Sequence, residues 1–156
     1  MERKEYVIGF AFDSENQGLP HHYPFDRVAL VMKNRPDWQK GLLNGIGGKI
    51  EPGETPLAAM KREFEEEAGV ADVAWEKFLE LNGETYKIYC YRAVIDLRLV
   101  KTMTDEEILC IGLPSSPMLI GCVRNLWWLI PMAADFTMQQ AVVFEETLPT
   151  RINRKQ

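Results

Sequence analysis

Glu63, Glu66 and Glu67 stand at positions i, i+3 and i+4 of the chain. On a helix, that spacing puts all three carboxylates on one face. Like charges so close repel each other, which costs stability unless a cation relieves it. Hard oxygen ligands in a cluster suit Mg²⁺ or Mn²⁺. The competing account is a solvated acidic helix face, the usual fate of a charge run, and the run alone does not separate the two. Just upstream, Gly45, Gly47 and Gly48 let backbone approach a ligand closely. Together these features suit a surface that binds a phosphate chain through a metal.

The acidic cluster needs a rigid carrier. The sequence predicts a helix from Pro56 to Ala68, with Thr55 as N-cap and Pro56 in the first helical position. Gly69 suits the position that ends it. Leu57, Met60, Phe64 and Ala68 recur at helical spacing and form its core face, so the carboxylates point away from the core.

Strands surround that helix. The pattern predicts strands from Tyr6 to Phe12 and from Arg27 to Met32, the second apolar throughout and therefore central. A short strand is expected from Leu42 to Ile46. Two more run from Ala74 to Leu81 and from Thr85 to Leu97, with Asn82-Gly83 as the hairpin turn. Leu109 to Ile111 and Ala141 to Glu145 complete the strand set. A second helix is expected from about Ile120 to Ala134, kinked or ended by Pro131. Ser14 to Pro24 reads as a polar loop in which His21 and His22 have no assigned role. Arg151 to Gln156 reads as a basic tail.

Composition narrows the class. A chain of 156 residues, 46% hydrophobic and 26% charged, suits one ordinary globular domain spanning 1–156. Its formal net charge of −5 is the wrong sign for a non-specific nucleic-acid binder. An anionic small-molecule substrate then requires a divalent cation to supply local positive charge. Cys90, Cys110 and Cys122 are odd in number and contain no C-x-x-C, so neither a disulfide framework nor a zinc site is expected. They read as buried free thiols of a cytoplasmic protein. There is no signal-peptide pattern, and the longest apolar stretch, Leu126 to Ala134, is too short to span a bilayer, so no membrane partner is expected.

The wider pattern decides between cation site and solvated face. Gly48 is followed after five residues by Glu54 and after seven more by Arg62-Glu63-Phe64. One residue on come Glu66-Glu67, and one further Gly69-Val70. This stretch, 48–70, resembles the Nudix box without departure, at a chance probability on the order of 10⁻⁹ per start position. The resemblance implies an α/β fold, a mixed sheet between helices with a loop–helix–loop catalytic box. It implies Mg²⁺, with Mn²⁺ as a substitute, held by Glu63, Glu66, Glu67 and the Gly48 carbonyl. It implies that Arg62 and Glu54 pair to brace the box, although Arg62 also precedes Glu66 by four residues, so a local helix pair competes. The reaction implied is hydrolysis of a nucleoside diphosphate linked to some group X.

Residues outside the box bear on the substrate. Leu43-Asn44-Gly45-Ile46-Gly47-Gly48-Lys49 is similar to a run in enzymes that hydrolyse oxidised purine triphosphates such as 8-oxo-dGTP, with Leu43 replacing a tryptophan. There the residue matching Asn44 contacts the base; alone, Asn44-Gly45 reads as a turn. Lys49 belongs to the same run and is expected among the substrate-binding residues. Thr104-Asp105-Glu106-Glu107 resembles a loop of the same enzymes, which makes Glu106 a further ligand or base, against a plain solvated charge. Asn125 to Pro131 resembles their closing helix, with Asn125 at a base edge and Trp128 as a pocket wall; singly, Trp127 and Trp128 read as core aromatics. Lys33 reads as a surface lysine rather than a phosphate contact. The resemblance to ADP-ribose and NADH enzymes lacks their marks, whereas Tyr86 falls near a tyrosine that marks dinucleoside polyphosphate hydrolases. The expectation is a triphosphate pyrophosphohydrolase, monomer or homodimer. The alternatives are another nucleotide-X hydrolase and a binding-only domain.

Overall fold

The structure is a computed structural model that describes residues 2–14, 25, 27–113 and 121–145. The expected loop histidines and the basic tail lie outside the described residues. Eight strands form one sheet: β1 (Lys4–Asp13), β2 (Arg27–Met32), β3 (Leu43–Asn44), β4 (Ile46–Lys49), β5 (Glu76–Asn82), β6 (Tyr86–Ile95), β7 (Ile108–Gly112) and β8 (Ala141–Phe144). Among the described residues two α-helices join them, α1 (Pro56–Ala68) and α2 (Leu126–Ala134). The main path runs β3-β2-β1-β6-β5-β8, with β4 on β1 and β7 on β2. β1–β6 and β5–β8 are parallel and the remaining pairs antiparallel, which makes the sheet mixed.

β1 organises the sheet. Along one edge it pairs with β6 over its full length, from Lys4↔Tyr86 to Asp13↔Ile95. Along the other it serves two strands in turn: Tyr6 to Gly9 face β4, and Ala11 to Phe12 face β2. The sheet therefore forks beside Gly9. Side chains alternate across it. Val7, Ala11, Ala29, Val31 and Ile46 join Met60, Phe64 and Ala68 of α1 in one apolar cluster. Phe10, Phe12, Val28 and Leu30 join Leu126, Leu129 and Ile130 of α2 in the other.

α1 forms as its caps require. Thr55 Oγ1 accepts from the Ala58 N–H at 3.1 Å, and Gly69 closes the helix at φ 71°, a left-handed conformation that costs glycine little. Phe64 meets the Trp75 ring edge-to-face at 5.0 Å. Leu57 is not part of the core face: it is 41% exposed in the first turn, and Ala59 is buried instead. Helical periodicity gives a direction around the axis but not how far along the helix the covering sheet extends.

Other expectations shift. The stretch from Leu42 to Ile46 divides into β3 and β4 at Gly45. The β5–β6 hairpin pairs Asn82 with Lys87, and Gly83 N–H donates to the Tyr86 carbonyl, so the tip is Glu84-Thr85 rather than Asn82-Gly83. α2 begins at Leu126, and Gly121 to Asn125 are not α-helical; Ile120 lies outside the described residues. Pro131 does not end α2, which continues to Ala134. The helical bond it cannot donate belongs to the carbonyl of Trp127, an exposed residue where water can substitute. All three cysteines are free, but Cys110 is exposed on β7 rather than buried. Arg92 on β6 is fully buried and ties the sheet to the turn after α2, donating to the carbonyls of Asp135 at 2.6 Å and Met138 at 3.2 Å.

Candidate active site

The box loop and α1 close on each other through Arg62. Its Nε and Nη2 donate to the two oxygens of Glu54 at 2.8 and 3.1 Å, a forked pair, and Nη2 also reaches the Lys49 carbonyl at 3.1 Å. Nη1 turns the other way, to Glu63 at 2.8 Å and Glu66 at 3.3 Å. The brace to Glu54 and the helical pair with Glu66 therefore coexist, and the brace is the shorter. Glu54 also accepts from the Glu51 N–H at 3.0 Å. The Arg62 hydrogen bond holds the Glu54 carboxyl below its ordinary range.

Glu63 is held directly against the strand. A Cβ added to Gly48 would lie 2.4 Å from a Glu63 carboxylate oxygen, so only glycine leaves room for that carboxylate beside the β4 backbone. Burial pushes the Glu63 carboxyl up, against the opposing pull of Arg62. Glu67 goes further: burial raises it to about 7, Lys33 opposes, and Glu63, Glu106 and Glu66 add to the rise. Among the described residues its Oε2 is buried without a hydrogen-bond partner. Glu66 is the exposed member of the trio.

Glu106 comes to this site from far along the chain. After β6, the backbone folds onto the end of α1: the Lys101 N–H donates to the Ala68 carbonyl at 3.0 Å and the Met103 N–H to the Glu67 carbonyl at 3.1 Å. That docking leaves Glu106 buried, not solvated. It accepts from Lys33 Nζ at 2.6 Å and the Asn34 N–H at 2.5 Å. Burial works against its charge, but these donors outweigh it and hold the carboxyl below its ordinary range. Lys33, expected on the surface, is thus a half-buried part of the carboxylate cluster; its position directly after β2 was the available signal.

The remaining candidates are more dispersed. Asn44 lies at the fork of the sheet, opposite Val31. Its Nδ2 donates to Gln39 at 3.0 Å and its Oδ1 accepts from the Gly45 N–H at 2.8 Å, which leaves half of the amide's capacity unspent. The Asn-Gly pair is therefore partly a turn device. Lys49 is exposed, with its carbonyl on Arg62. Asn125 opens α2 on the opposite face of the sheet and donates to Glu145 at 3.2 Å. Trp128 is half-buried against the α2-side cluster, whereas Trp127 is 54% exposed and is not a core aromatic.

The donor set suits a hard divalent cation. An orphaned buried carboxylate oxygen on Glu67 lies among further carboxylates, beside a glycine backbone. Among the described residues no three such groups already stand in ligand geometry, and the Arg62 guanidinium reaches both Glu63 and Glu66.

A family model described as the NUDIX domain matches residues 12–109, well over half of the chain and inclusive of 48–70. The chain belongs to the Nudix family. Solved structures share the fold of this Nudix hydrolase at low sequence identity. MutT, from a study of the Aliivibrio salmonicida and Vibrio cholerae proteins, is 20% identical, with a TM-score of 0.65 over 86% of this chain and 100% of that one. A Nudix-family hydrolase of Clostridium perfringens is 19% identical, with a TM-score of 0.63 over 86% and 98%. The Nudix domain of Shewanella oneidensis NrtR, solved with ADP-ribose, is 18% identical, with a TM-score of 0.69 over 85% and 87%. No curated protein matches the chain. Nudix hydrolases generally use divalent metals, in keeping with the carboxylate set here. Among the described residues no helix is long and apolar enough to cross a membrane.

Proposed function

We propose that this Nudix hydrolase cleaves a nucleoside triphosphate, preferably a purine or modified purine deoxynucleotide such as 8-oxo-dGTP, to the monophosphate and pyrophosphate with Mg²⁺. The observation that carries the reading is the packing of Glu63 against Gly48 with the unpartnered Glu67 oxygen beside it. It supports a cation held by Glu63, Glu66, Glu67 and the Gly48 carbonyl. When bound, Mg²⁺ supplies charge stabilisation for the phosphate oxygens and acidifies the attacking water.

The chain's own groups do the remainder. The oxygen of water forms a new bond to phosphorus, the bridging P–O bond breaks, and its electron pair leaves with the departing phosphate. Glu54 and Arg62 hold Glu63 still. Glu106, fixed by Lys33 and the Asn34 N–H, is the further carboxylate available as ligand or as acceptor of the water's proton. Lys49 attracts the phosphate chain. Asn44 offers a base its unspent donor and acceptor, and Asn125 and Trp128 form the opposite wall.

Two specific observations favour other substrates. Tyr86, on which the dinucleoside polyphosphate reading centres, donates its hydroxyl to Glu145 and so has a fixed direction. A structurally similar Nudix domain was solved with ADP-ribose. The complete box counts against a binding-only role. The test is kcat/KM for dGTP, 8-oxo-dGTP, dCTP, ADP-ribose and a dinucleoside tetraphosphate, with Mg²⁺ and with EDTA. The purine triphosphates are expected to lead and EDTA to abolish turnover. A tenfold lead for ADP-ribose or the dinucleotide, about 1.4 kcal/mol in transition-state binding, overturns the substrate reading. Full turnover in EDTA overturns the metal reading.

A further inference from the structure

We infer that Glu145 is a positioning residue that fixes which edge of a base the enzyme accepts. The residue directly follows β8, and its N–H donates to the Asn82 carbonyl at 2.9 Å, which anchors the backbone to β5. Its carboxylate receives two donors from two other elements: the Tyr86 hydroxyl from β6 and Asn125 Nδ2, at 3.2 Å, from the start of α2. Tyr86 is itself held from below. A Cβ added to Gly83 would lie 2.4 Å from its ring, so the ring packs directly against that glycine.

The direction of these bonds carries the argument. A carboxylate only accepts, so Asn125 must turn its NH₂ group toward Glu145 and its Oδ1 away. Asparagine at a helix start ordinarily spends Oδ1 on the first-turn N–H groups. Asn125 makes no such capping bond. Its oxygen is therefore left as an unspent acceptor at the start of α2, on the side of the sheet where Ile8, Tyr86, Ile88 and Trp128 are only partly buried. A ligand group that meets an acceptor there must be a donor. Guanine-type bases present N1–H and an N2 amino group along one edge, whereas an unsubstituted purine presents no donor on that edge. Glu145 thus selects donor-edged bases without touching them.

The inference rests on the reading that the α2 rim receives the base. Its test compares dGTP with the triphosphate of unsubstituted purine deoxyriboside in wild type, Glu145→Gln and Glu145→Asp. Glutamine both donates and accepts, so it allows the Asn125 amide to turn over. Glu145→Gln is expected to narrow the dGTP preference about tenfold, with KM changing more than kcat. Glu145→Asp keeps an acceptor-only group and is expected to retain the preference. A folded Glu145→Gln with the wild-type preference ratio overturns the inference and leaves the triphosphate reading standing. Turnover of ADP-ribose or a dinucleoside tetraphosphate in place of every triphosphate overturns the substrate reading first, and this inference with it.

Discussion

Lys33 Nζ donates to Glu106 Oε1 at 2.6 Å across 73 positions of sequence, and the two side chains are only 15% and 8% exposed. Removing one partner of a buried pair leaves the other charge without compensation. Lys33→Met is therefore expected to lower metal-free stability by about 3 kcal/mol. The double variant Lys33→Met/Glu106→Gln should cost clearly less than the sum of the singles. Urea unfolding in EDTA measures all three; simple additivity would show that the pair is not coupled.

Glu67 makes the metal-free protein pH-sensitive in a defined direction. Its carboxyl titrates near 7 in the folded chain against an ordinary 4.5. Below pH 4.5 both states carry the proton and the residue is neutral to stability. Between 4.5 and 7 the unfolded chain gives up its proton first, so stability falls, and above 7 the full cost is present. Glu67→Gln is expected to stabilise the metal-free protein by on the order of 1–3 kcal/mol at pH 8 and to be neutral at pH 4. Thermal melts in EDTA at the two pH values check this, and a Glu67→Gln protein less stable than wild type at pH 8 would refute it. Added Mg²⁺ should raise the wild-type melting temperature more than that of the variant.

Gly48→Ala addresses the contact between strand and helix. The new methyl would stand 2.4 Å from a Glu63 oxygen, so the carboxylate must move. The side chain can move, which keeps the stability cost to about 1–2 kcal/mol, on the scale of an overpacked site. The catalytic cost should be larger, a hundredfold or more in kcat, because displacements on the order of an ångström have that effect. Comparing kcat with the urea midpoint separates the two; a variant with wild-type kcat would detach Glu63 from the chemistry.

The box was legible in the sequence because its information is local. Caps, spacing and glycines within 48–70 act over a few residues, and Thr55, Pro56 and Gly69 occupy the expected places. The burial of Glu106 was not legible, since it depends on the segment after β6 docking on the last carbonyls of α1. Lys33 reads as a surface residue in the sequence for the same reason: its partner lies 73 residues away. The buried Arg92 and the bridging Glu145 carried no pattern at all, because each is defined by elements that meet only in the folded chain. The misplaced hairpin tip has another cause. Asn-Gly is a strong turn former, but the pairing of β5 with β6 extends through Asn82 and outweighs it.

The fork in β1 acts as a backbone ruler. Asn44 and Gly48 are four residues apart on the ribbon that leaves β2 and joins β1, a span of about 13 Å at strand rise. That length is written in main-chain hydrogen bonds, so a side-chain substitution at either end changes the group presented there but not its position. A relative suited to a longer or shorter ligand would have to add or delete residues around Gly45, at the single point where the ribbon passes from one partner strand to the other. Insertions and deletions there, more than point changes, are where reach should diverge among chains built on this plan.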